Sequence, residues 1–385
     1  MGASCSSAPS LNGRTSARRC PRVTSSVKAD RSDAFVHGEQ WYSDNAVELV
    51  LNHRVTALDR AAHEVELDTG KRIGYTKLLL ATGASPRRLE VPGSGPGLDG
   101  MHSLRTLEEA DELRDAISSG GRVVVVGGGW IGLEVAAAAR EYGCEVVVVE
   151  PSPTPLHGAL GPEIGEFFGE LHRRHGVDVR VGRSVTAVRG NGRVSGVVTD
   201  DGAEISADVV VVGVGARPNT ELAEQAGLTV DGGVVVDGSL RTDDPDVYAA
   251  GDAANSFNSL YGRHIRVEHW ANALNGAPVA AKAMLGQRVH YAELPFFFSD
   301  QYDVGMEFSG WFAPGRYDRV IIRGDVRTQA FHAFWFAGDR VVAGLHVNRW
   351  EEGIAPVQEL IRAGQPVNAD RLSDTAVSLS ALVSA

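Results

Sequence analysis

The stretch Arg122 to Glu150, RVVVVGGGWIGLEVAAAAREYGCEVVVVE, restricts the possible folds more than any other part of the chain. Val123 to Val126 are an unbroken apolar run, which suits a parallel strand covered on both faces and is too short for a useful helix. Gly127, Gly129 and Gly132 then spell G-x-G-x-x-G. The alanine-rich segment from Trp130 to Tyr142 predicts a helix, Gly143 ends it, and Glu145 to Glu150 predicts a second strand. Together they make one complete βαβ unit. Gly127 allows the tight turn, Gly129 lets a diphosphate approach the backbone, and Gly132 lets helix and strand pack closely. The helix amino terminus offers N–H groups and the positive end of its dipole. Glu150 stands 23 residues after Gly127, where a carboxylate accepts hydrogen bonds from an adenosine ribose and repels a 2′-phosphate. Pro151, Ser152 and Pro153 follow without an arginine, so the pattern predicts NAD(H) rather than NADP(H). A lone G-x-G-x-x-G also fits an ordinary tight turn. The register of strand, helix, stop, strand and acid makes it a dinucleotide site.

A chain of 385 residues has room for two or three domains with proper cores, and the 45 glycines suit repeated βα turns. A net charge of -12 argues against nucleic-acid binding as a main task and leaves a soluble, cytoplasmic protein as the expectation. No apolar run approaches membrane-spanning length. Cys5, Cys20 and Cys144 are too few and too scattered for a disulfide framework or a zinc site, so no metal is expected. Cys144 opens the second strand and reads as a small buried apolar residue.

Taken in order, residues 33–50 suggest a loop and a short helix around Gln40, Trp41 and Tyr42. Val55 to Asp59, Glu64 to Leu67 and the Thr69-Gly70 turn suggest a small antiparallel piece. The run YTKLLLATGA reads as a strand ending in Thr82-Gly83, where the missing side chain of Gly83 lets backbone approach a ligand. Pro86, Pro92 and the glycines from Gly93 to Gly100 mark a linker, and Leu104 to Ile117 an amphipathic helix. Beyond Glu150, Gly165 to His175 predicts a helix, and Val177–Val181, Val185–Val188 and Val194–Thr199 predict strands. ADVVVVGV ends at Gly215 and echoes the Thr82-Gly83 strand ending, which suggests two nucleotide domains of similar construction. DVYAAGDAA again runs a strand into a glycine, Gly251, and sets Asp252 ahead of an expected helix, where a carboxylate is commonly an N-cap. From Leu294 the aromatic, strand-like segments joined by Gly-Asp turns, with a short helix at Ala355 to Ala363, predict an α+β domain. Residues 1–28 hold no acid and are rich in Ser and Arg, which fits a transit peptide, a lipid anchor at MGASCS or a disordered tail.

With ATGASPR, GGGWIGLE, VGARPN, AAGDAA and PFFFSDQYD in this order, the chain resembles the two-dinucleotide flavoprotein reductases. Closest among these are the NADH-dependent ferredoxin reductases serving Rieske oxygenases and cytochromes P450, with rubredoxin reductase and apoptosis-inducing factor as relatives. The resemblance implies an α/β fold of two Rossmann-like domains plus a C-terminal α+β domain. It places FAD in a discontinuous domain over 30–104 and 236–292, NAD(H) in 105–235, and a reductase or dimerisation-like domain in 293–385. It sets Val55 near the FAD adenine and Arg105 near the flavin or its phosphates. Asp252 would bond the ribityl chain, which raises that role above the cap. Trp270 would line the flavin, where a tryptophan is otherwise most often core. Glu134 would face the nicotinamide, where an isolated glutamate is otherwise a solvated helix residue. The implied chemistry is hydride transfer from NADH to flavin N5, then single-electron transfers to a ferredoxin or rubredoxin-type acceptor. No C-x4-C or C-x-x-C pair exists, which excludes the thiol–disulfide branch of the superfold. Arg316, Arg319, Arg323 and Arg327 are candidates for a basic patch that steers an acidic ferredoxin.

The family's first βαβ unit, with its own FAD diphosphate turn, is missing ahead of Asp30, so the flavin domain is expected to be N-terminally truncated. Degenerate codons for Arg14 to Ser26, read in a shifted frame, give YERPPLSKGYFK, similar to the family's flavin-side segment. Residues 1–29 are therefore read as non-homologous or as an out-of-frame translation, which the nucleotide sequence across those codons decides. Three functions compete: an FAD-dependent NADH:ferredoxin reductase, a flavin-free product that binds NAD(H) without turnover, and an NADH-sensing interaction protein that dimerises on NADH. A yellow protein reducing an artificial acceptor marks the first, colourless material the second, and retained flavin with slow turnover the third.

Overall fold

The computed structural model describes residues 35–95, 97–313 and 315–383. The readings of the first 29 residues and of the missing βαβ unit lie outside the described residues. The chain divides into two units, which exchange at 85/86, 215/216 and 295/296.

The unit of 86–215 and 296–383 is built on five parallel strands in the order Met101–His102, Val209–Val212, Arg122–Val126, Glu145–Glu150 and Asp178–Val181. The four valines of the Arg122–Val126 strand are buried, as the unbroken run requires of a central strand covered on both faces. The helix Trp130–Glu141 follows and buries Leu133 and Val135 to Ala139. Cys144 is buried, with its thiol donating weakly to the Ile117 carbonyl at 3.4 Å. The helix expected from Leu104 starts at Leu107, because Thr106 caps it. Thr106 Oγ1 accepts from Glu109 N at 3.2 Å and Glu109 Oε2 accepts from Thr106 N at 3.1 Å. The helix expected from Gly165 begins earlier, as His157–Arg174, with a break at Gly161 (φ 79°). Pro162 marks that break, since a proline without an N–H is tolerated at the first turn of the segment that resumes there. A three-stranded antiparallel piece over Val185–Asn191, Arg193–Thr199 and Glu204–Ser206 completes the nucleotide portion.

Residues 296–383 form a five-stranded antiparallel sheet in the order Phe296–Gln301, Val304–Gly310, Arg340–Val347, Ala330–Ala337 and Arg319–Asp325, with the helix Ala355–Ala363 against it. This sheet shares one continuous apolar core with the parallel-sheet portion. Phe331 meets Phe167 edge to face at 5.1 Å, Phe297 meets Trp130 at 4.7 Å, and the buried Trp335 donates its indole N–H to the Leu160 carbonyl at 3.1 Å.

The unit of 35–85 and 216–295 carries the helix Glu39–Asp44 and a meander of Val55–Asp59, Glu64–Leu67 and Arg72–Gly74. A parallel pair joins Leu78–Leu80 to Val247–Ala249. A mixed sheet joins Val234–Val236, Ala254–Asn258 and Arg263–Ile265. Its helix is Trp270–Met284. Met101–His102 pairs in the five-stranded parallel sheet of the first unit, and Val234–Val236 pairs in this one. Among the described residues no helix is long and apolar enough to cross a membrane.

The four arginines that are candidates for a basic patch have different surroundings. Arg323 is buried and donates to the backbone carbonyls of Leu372 (3.1 Å), Asp374, Thr375 (3.4 Å) and Val377 (2.7 Å), so it fastens the chain end instead of facing a partner. Burial holds its guanidinium below the usual arginine range. Arg327 is exposed but bonded through two nitrogens to Asp325, while Arg319 lies 5.0 Å from the Phe336 ring. Arg323→Met should lower unfolding stability by about 2 kcal/mol, since it leaves several carbonyls without a donor. Urea titration measures the loss, and limited proteolysis should then cut first between residues 372 and 377.

Candidate functional site

The turn that follows the central strand has the geometry its glycines predict. Gly127 has φ 105°, and a Cβ there would stand 2.4 Å from the Gly213 carbonyl oxygen. A Cβ on Gly132 would stand 2.1 Å from the Gly127 oxygen, so helix and turn touch backbone to backbone. Gly129 differs. It is the N-cap of the helix in extended backbone, and its Cβ would meet nothing nearer than the Gly213 oxygen at 4.0 Å. The two close glycines build the turn, and the third leaves a cradle over the helix amino terminus where an anion fits. Ile131 and Val214 flank this turn with exposed apolar side chains, which sequence reasoning did not single out.

Glu150 closes the turn from the next strand. Its Oε2 accepts from Gly128 N at 2.6 Å and its Oε1 from Ser152 N at 2.7 Å, and the side chain is buried. Each carboxylate oxygen has a second lone pair, so ribose hydroxyls can still be accepted. Arg183, whose backbone N–H reaches the Glu150 carbonyl at 3.1 Å, commits its guanidinium to Asp201 at 2.8 Å.

Glu134 sits one turn into the same helix and is buried, not solvated as an isolated glutamate would be. Its Oε1 accepts from Ser299 Oγ at 2.7 Å. Sequence reasoning missed Ser299. The alternation in FFFSDQ, which puts Phe297, Ser299 and Gln301 on one strand face, was the available signal.

In the other unit, Thr82 and Gly83 interlock with Asn219, a second residue missed from sequence. Thr82 Oγ1 donates to the Asn219 carbonyl at 2.6 Å, Asn219 Nδ2 donates to the Thr82 carbonyl at 2.8 Å, and Asn219 N donates to the Gly83 carbonyl at 2.9 Å. The echo between the two strand endings is thus a physical pairing. Asp252 corrects the sequence expectation. Gly251–Ala253 is a single 3-10 turn that runs into the strand Ala254–Asn258, so no helix follows and Asp252 caps none. The next helix begins at Trp270 and is capped by His269, whose Nδ1 accepts from Ala271 N at 3.2 Å. That helix start lies against the turn: a Cβ on Gly251 would stand 3.4 Å from Ala273 Cβ. Trp270 Nε1 is buried with no hydrogen-bond partner. A buried indole donor without an acceptor, at a helix amino terminus, fits a polar aromatic cofactor such as a flavin.

Val55 begins the meander and is exposed. Arg105 is exposed just ahead of the capped helix, in the nucleotide-bearing unit. Gly215 stands at the unit exchange with φ 97°. Among the described residues no cluster of acids, histidines and cysteines could hold a metal ion.

Residues 12–277 match the family model for pyridine nucleotide-disulphide oxidoreductases, and residues 296–383 match the model for the reductase C-terminal domain. The chain is 41% identical over 349 residues to the ferredoxin–NAD(+) reductase component of the anthranilate 1,2-dioxygenase system from Burkholderia cepacia, covering 90% of this chain and 84% of that one. It is 36% identical over 362 residues to putidaredoxin reductase CamA from Pseudomonas putida, covering 93% and 85%. The solved covalent complex of putidaredoxin reductase with putidaredoxin superposes with a TM-score of 0.90 at 35% identity, covering 94% of this chain and 88% of that one.

The unequal surroundings of the glycines predict unequal substitutions. Gly132→Ala should cost several kcal/mol, on the order of 3 or more, because a methyl group must displace backbone. Gly129→Ala should cost under about 1 kcal/mol yet obstruct the cradle. Thermal melts paired with NADH titration check both: Gly129→Ala folds and loses nucleotide, and Gly132→Ala loses the fold.

Proposed function

The chain belongs to the pyridine nucleotide-disulphide oxidoreductase family, and from that premise we propose that it carries electrons from NADH, through FAD, to a small iron–sulfur protein of the ferredoxin type. Its class is that of the NADH-dependent ferredoxin reductases, oxidoreductases whose cofactors are FAD and NAD(H). The observation that carries the reading for this chain is the turn Gly127–Gly132 locked to Glu150 through Gly128 N.

Gly127, Gly129 and Gly132 would seat the NADH diphosphate, Glu150 the adenosine ribose, and Glu134 would face the nicotinamide end. On the flavin side, Asp252 and Trp270 would hold FAD beside Gly251, Thr82 and Gly83, with Val55 toward its adenine. Arg105 would meet the flavin or its phosphates, and Gly215 would leave backbone room for a nucleotide. Bound FAD supplies the exchange between a two-electron donor and a one-electron acceptor. The chain's own groups bind, orient and keep water away. The indole N–H of Trp270 gains the acceptor it lacks, and the Glu150 carboxylate selects against a 2′-phosphate. A net charge of -12 opposes an acidic ferredoxin, so local cations are needed at the docking face, and the exposed Arg316 and Arg319 are the candidates. NADH supply and the acidic charge suit the cytoplasm.

Purified protein supplied with FAD should turn yellow and reduce a ferredoxin with NADH in preference to NADPH. Glu150→Gln should narrow that nucleotide preference by about tenfold, read from Kd values for the two nucleotides. A colourless protein that binds NADH and leaves ferredoxin oxidised would overturn the redox reading in favour of plain NAD(H) binding. In a separate assay, reversing charge at Arg316 and Arg319 together should slow ferredoxin reduction by about tenfold at low salt. Reduction of an uncharged artificial acceptor should stay unchanged, and equal rates with both acceptors would discard these arginines as a docking patch.

A further inference from the structure

One polar path crosses the apolar core of the nucleotide-bearing unit. Tyr302 OH lies 3.2 Å from His172 Nδ1, His172 Nε2 lies 2.8 Å from Gln301 Oε1, Gln301 Nε2 donates to Ser299 Oγ at 3.0 Å, and Ser299 Oγ donates to Glu134 Oε1 at 2.7 Å. The groups come from three elements: the helix Trp130–Glu141, the helix His157–Arg174 and the strand Phe296–Gln301 with its turn. His172 and Gln301 are fully buried, Ser299 is 1% exposed and Glu134 5%. Polar atoms so deep cost free energy unless each is bonded, and here each link has its partner.

The path has a direction. An amide that accepts at Oε1 and donates at Nε2 makes His172 donate from Nε2 and accept at Nδ1 from the tyrosine hydroxyl. Every donor along it then points toward Glu134, and Ser299 has one orientation left, with its proton on Glu134 Oε1. Burial pushes the His172 imidazole down to about 4, so it stays neutral near pH 7, and burial holds the Tyr302 phenol protonated well above its usual range. Tyr302 and His172 therefore keep the protons that the direction requires. Tyr302 takes up a left-handed backbone (φ 56°) in the hairpin turn and stacks on His175 at 3.7 Å, which fixes the start of the path.

We infer that Ser299, oriented by Gln301 and His172, is a positioning residue for the Glu134 carboxylate, so that the carboxy-terminal domain completes the nicotinamide end of the NADH site. The inference rests on the reading of Glu134 as facing the nicotinamide. A glutamate whose Oε1 is bonded to a fixed donor has its carboxylate restricted before ligand arrives, and preorganisation of that kind lowers the cost of binding. The strand Phe296–Gln301 then acts at the nucleotide, in addition to any part its domain plays toward the acceptor.

Calorimetric titration of the purified chain with NAD+ and with ADP-ribose, which lacks the nicotinamide, tests this without turnover. Ser299→Ala should weaken NAD+ by about tenfold, the size of a hydrogen bond to a charged group, and leave ADP-ribose within about twofold. Glu134→Ala should do the same, and the double variant should be no weaker than Glu134→Ala alone, because the two share one interaction. If Glu134→Ala weakens NAD+ and Ser299→Ala does not, the positioning role is overturned while the Glu134 reading stands. If Glu134→Ala leaves NAD+ unchanged, that reading falls and the inference with it. Equal weakening of NAD+ and ADP-ribose by Ser299→Ala marks general damage and also overturns it. Should Ser299→Ala fail to fold in a thermal melt, Gln301→Met decides on the same criterion, with an expected loss of about threefold.

Discussion

The helix Trp130–Glu141 can lie against the parallel sheet only because backbone is allowed to touch backbone where Gly127, Gly132 and Gly213 meet. A Cβ on Gly127 would collide with the Gly213 carbonyl and a Cβ on Gly132 with the Gly127 carbonyl. The helix then enters the sheet at a depth where Val135 to Ala139 bury flush, and its first turn points at the space above Gly129. The sheet order follows from the same constraint, since Val209–Val212 must pair with Arg122–Val126 for Gly213 to reach the turn. On the proposed reading, the binding cradle and the packed core are two sides of one set of glycines.

Much of this was legible in sequence because the determinants are local. The βαβ unit, the meander from Val55 to Leu67 and the strands from Val185 to Thr199 each announce themselves by period and by turn residues within a few positions. The departures arise where a distant partner decides. The helix expected from Gly165 starts earlier, at His157, where Leu160 is buried and its carbonyl accepts from Trp335. Asp252 looked like a cap because glycine and acid precede a small-residue run, but Ala254–Asn258 is claimed as a strand by pairing with Val234–Val236. Arg323 looked like surface charge, and only the fold brings the carbonyls of residues 372–377 around it. Of the candidate site, the turn and its acid lie within one local unit of sequence, while the partners of Ser299 and Asn219 stand 165 and 137 residues away, so their pairing was not visible in the local pattern.

The shared core also explains why polar residues are tolerated at its centre. Residues from Phe297 to Leu345 pack with Leu133, Phe168 and Leu171 into one apolar body. Within it an unbonded serine or glutamine would be costly, whereas a continuous run of bonds polarises each member and strengthens the next. Ser299 and Gln301 therefore specify how the strand Phe296–Gln301 sits on the helix Trp130–Glu141, a register that Phe297 alone would leave free to slide.

On the proposed reading, Glu150 joins fold and specificity in a single carboxylate. Its oxygens accept from Gly128 N and Ser152 N, and a buried donor left without an acceptor costs about 1–3 kcal/mol. A chain that replaced this acid by a small or basic residue to admit a 2′-phosphate would lose those two bonds together with the repulsion. Some other acceptor would have to close the turn. On the proposed reading, a preference for NAD(H) would be tied to the stability of the turn, and a change of nucleotide would require more than the removal of one negative charge.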